Sequence, residues 1–322
     1  MNPGHLFSHP AITFLVLLIA CTAWVLRDEK DKSRQVLWLA LLVSLIYLGL
    51  FDAFMAKANS LLHWKYDYYL LCLDRALGIS SAGVALAFRR AWPVFKAIYG
   101  LMLPAMVLWL VVNRRANAAI IRGYAAELIV GPILYALLPA GGPAYAFDKA
   151  WTQIPVVDAK LIHLESAPIN AFPSLHLATA LLFVLTARSR LWRGISIIFF
   201  AVTAVATLTT GEHYVIDLVA GLTFGCFVAC AGNMRIRRAL VYLGMTVAWS
   251  LAIRWGVHAL IGHPGVAWVA VALTMVVAVE AVSAEWSGST GVPMGQESGR
   301  APMEVPFPAS ARLTKATEIT SR

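Results

Sequence analysis

The sequence has few charged residues and few cysteines, and each shortage excludes a class of protein. Only 13% of the 322 residues are Asp, Glu, Lys or Arg, about half the share found in soluble domains. Hydrophobic residues make up 60% of the chain, so a soluble enzyme is excluded, as is disorder for most of its length. The four cysteines have no spacing typical of a disulfide scaffold, a metal site or a redox motif.

Long apolar segments take the place of the missing charges. Nine of them approach the length of about 20 residues that a helix needs to cross a bilayer. They lie near 10–26, 35–56, 91–112, 118–138, 174–187, 195–210, 213–232, 239–261 and 265–283. The sequence therefore predicts an all-α polytopic membrane helix bundle with about nine spans. Two shorter segments, 63–75 and 79–88, are typical of interfacial helices.

The positive charges predict an orientation in the membrane. Twelve Lys and Arg residues occupy four short connections, at 26–35, 113–117, 188–194 and 233–238. By the positive-inside rule these connections face the cytoplasm, although five basic residues at 57–90 oppose that orientation. The net charge of +9 does not indicate nucleic-acid binding, because no basic polar segment alternates with aromatic residues.

Two polar segments stand out from the apolar background: Ala171-Phe-Pro-Ser-Leu-His176 and Gly211-Glu-His-Tyr-Val-Ile-Asp217. Each opens a predicted span on the side opposite the basic connections. The N-terminus of a helix carries unsatisfied N–H groups and partial positive charge, so this placement favours an anion such as phosphate. Pro173 and Ser174 also suit an ordinary helix start and cap, which is the alternative interpretation.

The spacing of His213 and Asp217 indicates nucleophilic chemistry. Residues four apart share one face of a helix, so the carboxylate can hold one imidazole nitrogen and leave the other free. An imidazole oriented in this way can attack phosphorus and carry a phosphoryl group. His176 is then the candidate for moving the proton.

These segments resemble the type II phosphatidic acid phosphatase superfamily, whose motifs include Pro-Ser-Gly-His and a later Ser-Arg-x5-His-x3-Asp. Pro173-Ser-Leu-His176 matches three of four positions, and His213 with Asp217 matches the core of the second motif. Leu175 replaces Gly, Ala206-Thr207 replaces Ser-Arg, and the family's earlier Lys and Arg-Pro motif has no match. The motifs Phe172-Pro-Ser-Leu-His176 and Thr210-Gly-x-His-Tyr-x-x-Asp217 are similar to those of the inositol phosphorylceramide synthase-like branch.

The resemblance covers roughly residues 65–232 and implies a role for each matched position. His213 is implied as the nucleophile, Asp217 as its orienting carboxylate, and His176 as general acid toward the leaving alcohol. Ser174 and backbone N–H groups are implied to hold the phosphate. No cofactor and no metal is implied, and two histidines with one Asp lack a third clustered ligand. A metal site is the alternative chemistry.

No motif identifies the cationic residue that would bind the phosphate. Lys96 is the best substitute by position, and Lys160 lies in a connection on the same side. Glu212, beside the candidate nucleophile, has two interpretations, a contact for the donor headgroup or a solvated turn residue. Arg122, Glu127 and Arg254 fall within predicted spans, where structural pairing between helices is the expectation.

The resemblance implies an enzyme, the hydropathy predicts an integral protein of the plasma or inner membrane, and the positive-inside orientation predicts an extracytoplasmic active site. The enzyme would cleave a lipid phosphoester or phosphodiester through a phosphohistidine, with an alcohol slightly favoured over water as acceptor. A transporter and a noncatalytic lipid-binding relative are the alternatives, and the oligomeric state is open. The chain divides into N-terminal spans (1–64), a catalytic core with six helices (65–232), C-terminal spans (233–286) and a disordered cytoplasmic tail (287–322).

Overall fold

The computed structural model describes residues 54–113, 117–153, 158–165 and 167–290. In these ranges the chain is almost entirely helical, and its only strands are β1 (Trp64–Lys65) and β2 (Ile162–His163), which pair antiparallel. The expected all-α polytopic membrane bundle is confirmed. The first two predicted spans, near 10–26 and 35–56, lie almost wholly outside the described residues.

The helices that build the bundle follow one another with short connections. In chain order they are α1 (Asp67–Ala76), α2 (Ser81–Ala87), α3 (Trp92–Gly100), α4 (Met102–Val112), α5 (Asn117–Leu137), α6 (Pro143–Ala146), α7 (Leu175–Thr186), α8 (Arg190–Thr209), α9 (Val215–Gly232), α10 (Ile236–Gly262) and α11 (Pro264–Thr290). Two 3₁₀ turns, Arg89–Ala91 and Asp148–Gln153, lie between them. The last helix is described to Thr290, so it includes the first four residues, 287–290, of the predicted tail.

Five helices, α5, α8, α9, α10 and α11, are long and apolar enough to cross a membrane individually. The predicted span at 91–112 is broken between α3 and α4, which meet at 48°. Pro104 in the first turn of α4 has no N–H to continue the ladder of α3, which accounts for a break at this point. The predicted span at 174–187 is the 12-residue α7, shorter than a full crossing.

The two segments expected at the membrane interface are α1 and α2, which meet at 76°. One side of α1 is buried, including Leu70, Leu73 and two carboxylates, Asp67 and Asp74. This helix contacts α9 and α10, so it forms part of the bundle. Its burial places two acidic side chains under the polar segment that opens α9.

The centre of the bundle is α9, in which 89% of the residues are buried; this helix contacts α5, α7 and α10. Two glycines of α9, one helical turn apart, allow α7 to pack closely against α9. A Cβ atom at Gly221 would lie 2.9 Å from the Ser174 carbonyl oxygen, and one at Gly225 would lie 3.1 Å from the Ala178 Cα. Small residues at this spacing are the usual means of close helix packing in membranes. The packing brings the two polar segments together.

The expected structural pairing between helices is confirmed for three charged residues. Arg122 Nε donates to the Gly232 carbonyl oxygen at 2.9 Å, and Arg254 Nη1 donates to the Leu137 carbonyl oxygen at 2.7 Å. Glu127 Oε1 accepts a hydrogen bond of 2.6 Å from the Thr179 hydroxyl. Each bond joins two helices, so each charge within the bundle gains a polar partner.

The close approach of α7 and α9 predicts that Gly221→Ala destabilises the protein. The added methyl group must displace backbone, at a cost of about 1–3 kcal/mol. Gly244→Ala is the matched control, because a Cβ atom there meets nothing within 4 Å. Thermal unfolding of the detergent-solubilised protein should show a lower midpoint for Gly221→Ala only. Equal midpoints for the two variants would contradict the close packing.

Candidate active site

His213 lies in the connection between α8 and α9, with only 2% of its surface exposed. Its Nδ1 atom is 2.7 Å from the Ala171 carbonyl oxygen and 3.5 Å from Asp217 Oδ2. Because a carbonyl oxygen can only accept, this contact assigns the proton of a neutral ring to Nδ1. The Nε2 atom then carries the lone pair that a nucleophile requires.

Burial also determines the charge of this imidazole. It lowers the pKa of His213 to about 4, although Glu212 and the hydrogen bond to Ala171 act in the opposite direction. The ring is therefore neutral at physiological pH. A neutral ring with a free Nε2 is the form that attacks phosphorus.

Asp217 stands in the first turn of α9, and its main partner is backbone. Its Oδ2 atom accepts a hydrogen bond of 2.7 Å from the Tyr214 N–H, forming a capping box at the helix start. The structure thus brings Asp217 close to His213, as predicted, but the Ala171 carbonyl is the nearer partner of the ring. Asp217 holds the backbone beside His213, and its direct orienting role stays a prediction.

His176 is the second residue of α7, and its ring faces His213. The two ring centroids are 6.3 Å apart, and the His176 ring stacks on Tyr99 of α3 at 4.0 Å. A phosphoryl group between two imidazoles needs about 3 Å on each side for attack and for proton transfer. The 6.3 Å joins ring centres rather than nitrogen atoms, so it shows that the two imidazoles share one site and does not by itself give the distances for attack.

Ser174 caps α7, which is the ordinary alternative raised by the sequence. Its Oγ atom accepts from the Leu177 N–H at 3.4 Å, and its own N–H donates to the Asp217 carbonyl oxygen at 3.1 Å. The residue is fully buried. The cap and the bond to Asp217 fix the two polar segments relative to each other, while a contact between Ser174 and phosphate stays a prediction.

Glu212 is partly buried at the side of His213. Its Oε1 atom accepts a hydrogen bond of 3.2 Å from the Tyr145 hydroxyl. Burial raises the pKa of the Glu212 carboxyl, against the opposing effects of His213, the Tyr145 hydroxyl and Lys96. The structure therefore gives Glu212 a specific partner, unlike a freely solvated turn residue.

The two predicted cations have different surroundings. Lys96 is exposed, with its Nζ atom 4.8 Å from the centre of the Trp92 ring, and lies close enough to Glu212 to affect its ionisation. Lys160 is also exposed, and its Nζ atom lies 5.7 Å from the centre of the Tyr68 ring. Of the two, Lys96 is the cation that the structure associates with the histidine segment.

Sequence reasoning missed Asp67, which is fully buried on α1. Its carboxylate accepts hydrogen bonds from the Gly141 and Gly142 N–H groups, the latter at 3.0 Å, and from the Tyr214 hydroxyl at 2.9 Å. Gly142 has a φ of +88°, and a Cβ atom there would lie 2.2 Å from the Glu212 carbonyl oxygen. Asp67 thus holds the glycine pair against the segment that carries His213.

Asp74 was also missed, and it corrects one expectation. Its carboxylate accepts from the Val215 N–H at 2.7 Å and from the Ile216 N–H at 3.0 Å. The first N–H groups of α9, expected to face a phosphate, are therefore bound by a carboxylate of the protein itself. Asp67 and Asp74 are seven residues apart, on one face of α1, and this spacing is the signal in the sequence that identifies them.

The site has the parts needed for phosphoryl transfer by side chains: a neutral imidazole, a second imidazole facing it, and the start of α7. Among the residues that the structure describes, no group of three His, Cys, Asp or Glu side chains is arranged to hold a metal ion. The absence of a metal from the mechanism remains a prediction for experiment.

Comparison with known proteins gives one match. Residues 68–231 match the family model described as the PAP2 superfamily, and no curated protein and no solved structure matches the chain. The matched region makes up half of the 322 residues and contains both histidine segments and Asp74. The chain therefore belongs to the PAP2 superfamily, and this membership supports an integral membrane enzyme with a lipid phosphatase-type function.

Proposed function

We propose that this protein cleaves a phosphoester or phosphodiester of a membrane lipid through a phosphohistidine formed at His213. The observation that carries the proposal is the pair of imidazoles, with centroids 6.3 Å apart and the Nδ1 atom of His213 held by the Ala171 carbonyl. Family membership supports the lipid phosphate as substrate. The imidazole pair supports the covalent route.

The reaction has two half-reactions. In the first, His213 Nε2 attacks phosphorus and the bond from phosphorus to the lipid oxygen breaks. His176, charged by a proton taken up together with the anionic phosphate, gives that proton to the lipid oxygen. In the second, a hydroxyl oxygen attacks the phosphohistidine, neutral His176 takes the hydroxyl proton, and the N–P bond breaks. Both histidines are then restored.

The acceptor in the second half-reaction decides between a phosphatase and a transferase. We favour transfer to an alcohol, because Phe172-Pro-Ser-Leu-His176 and Thr210 to Asp217 are similar to the inositol phosphorylceramide synthase-like branch. Glu212 with the Tyr145 hydroxyl supports this choice, since the pair can contact a hydroxyl-bearing headgroup. Product analysis with and without an added alcohol distinguishes the two outcomes.

In this proposal, Lys96 and the start of α7 stabilise the negative charge of the phosphate. Lys96 already lies within electrostatic reach of Glu212. Ser174 contributes the backbone geometry at the start of α7, and Lys160 is a second cation at the rim. Donors arranged before the reaction stabilise charge that develops on phosphorus.

His213→Ala should reduce phosphate release from lipid substrates to background, a loss of at least about 10³-fold. The matched control is His263→Ala, because His263 is exposed in the connection between α10 and α11. Rapid quenching with a ³²P-labelled lipid should trap acid-labile phosphate on the wild-type protein. Activity in His213→Ala, or label found on Ser174, would refute the assignment of the nucleophile.

Activity should survive an excess of chelator, because the proposed chemistry uses imidazoles, a lysine and a helix start. The measurement is phosphate release from the purified protein with and without EDTA. A loss of activity that a single divalent metal restores would establish the metal alternative instead.

We propose that the site opens to the extracytoplasmic side, because the basic connection after α7 and the one after α9 lie at the ends of these helices away from the histidines. After replacement of the native cysteines, Glu165→Cys should react with an impermeant thiol reagent in intact cells. Arg188→Cys should react only after lysis. Both positions are exposed, and the reverse pattern would place the site on the cytoplasmic side.

A further inference from the structure

A cavity of about 320 Å³ lies among α3, α4, α5 and α7, beside the candidate active site. His176 forms part of its wall, and most of the remaining lining is apolar, including Leu103, Met106 and Leu128. Along α5 the lining runs from Tyr135 to Tyr124, a rise of about 16 Å. The cavity therefore leads from the proposed chemistry into the interior of the bundle.

The cavity also reaches the outer surface of the bundle. Gly100, at the bend between α3 and α4, lines the cavity and is itself exposed. This bend lies in a helix pair apolar enough to form a membrane span. Among the described residues, the cavity therefore opens at the bend of this apolar helix pair.

One polar group in the cavity wall has an unused hydrogen-bonding atom. Glu127 is 1% exposed, and its Oε1 atom accepts from the Thr179 hydroxyl. Among the described residues, no group makes a hydrogen bond with its Oε2 atom. A buried oxygen without a partner is costly, so its presence in a cavity wall points to a bound polar group.

We infer that this cavity binds the chain of a lipid alcohol, and that Glu127 forms a hydrogen bond with a free hydroxyl on the backbone of that lipid. The inference rests on the proposed function, because the lipid alcohol is the group whose oxygen faces His176. The inference adds a substrate class: lipids with a free hydroxyl on the carbon adjacent to the one that carries the reacting oxygen.

The spacing along α7 supports this substrate class. Thr179, which holds Glu127, follows His176 by three residues, so the two lie on the same face about 4.5 Å apart along the helix axis. A lipid with a hydroxyl on the carbon adjacent to the one that carries the reacting oxygen presents two oxygens, one for His176 and one for the Glu127 side chain held one turn away. The apolar lining beyond Glu127 then surrounds the hydrocarbon chain.

Equilibrium binding of two lipid alcohols to the purified full-length protein tests the inference without requiring turnover. The probes are 1-oleoylglycerol and 1-oleoyl-1,3-propanediol, which lacks only the middle hydroxyl. Wild-type protein should bind the glycerol lipid about tenfold more tightly. Glu127→Met, which keeps the side-chain length but removes the acceptor, should reduce this ratio to near one. Equal binding of the two probes by the wild type would overturn the role of Glu127.

A second pair of variants tests the cavity independently of Glu127. Leu103→Trp adds bulk to the cavity wall and should weaken binding of both probes at least about tenfold. Leu108→Trp is the matched control, since Leu108 is on the same helix but 55% exposed. Unchanged binding in Leu103→Trp would overturn the cavity assignment.

The same measurement separates this inference from the proposed function. The His213→Ala variant should still prefer 1-oleoylglycerol. Selective binding by a wild-type protein that releases no phosphate would refute the proposed function and leave the cavity assignment intact. Phosphate release without selective binding would refute the role of Glu127 and leave the proposed function intact.

Discussion

The buried carboxylates of α1 are the constraint on which the rest of the site depends. Asp67 and Asp74 lie in the bundle, where an unpaired charge is very unfavourable, and each is surrounded by backbone N–H donors. Each carboxyl group accepts hydrogen bonds from more than one donor, so it fixes the backbone segments that carry those donors. These hydrogen bonds connect the glycine pair at 141–142, Tyr214 and the start of α9 to a single helix. His213 lies between the connected segments, so its position follows from theirs.

Local patterns predicted where the two histidine segments stand in the fold. The two histidine segments do begin α7 and α9, because Pro173 and Ser174 form a helix start and Asp217 forms a capping box. The partners of those segments were not predictable in the same way. Asp74 is 141 residues from the N–H group it binds, and the Nδ1 partner of His213 is a backbone carbonyl that any residue at 171 would supply. Such contacts are set by packing, which a local pattern does not encode.

Hydropathy predicted the order of the helices, but of the seven spans it predicted among the described residues, five are helices long enough to cross a membrane. Composition alone does not distinguish one continuous helix from α3 and α4, which meet at a bend. That bend exposes Gly100 and connects the cavity to the outside of the bundle. Similarly, charge and aromatic content assigned 63–75 to the membrane interface but did not predict that α1 buries both carboxylates against the bundle.

The shortness of α7 has a consequence for the surrounding lipid. Its twelve residues rise about 18 Å, whereas the hydrocarbon layer of a bilayer is about 30 Å thick. If Arg188 marks one polar boundary, His176 at the start of α7 stands about 12 Å short of the other. The proposed reaction at a lipid phosphate would then require a bilayer that is locally thin around the bundle. Hydrophobic mismatch would therefore enter its barrier, and a thicker membrane would raise it.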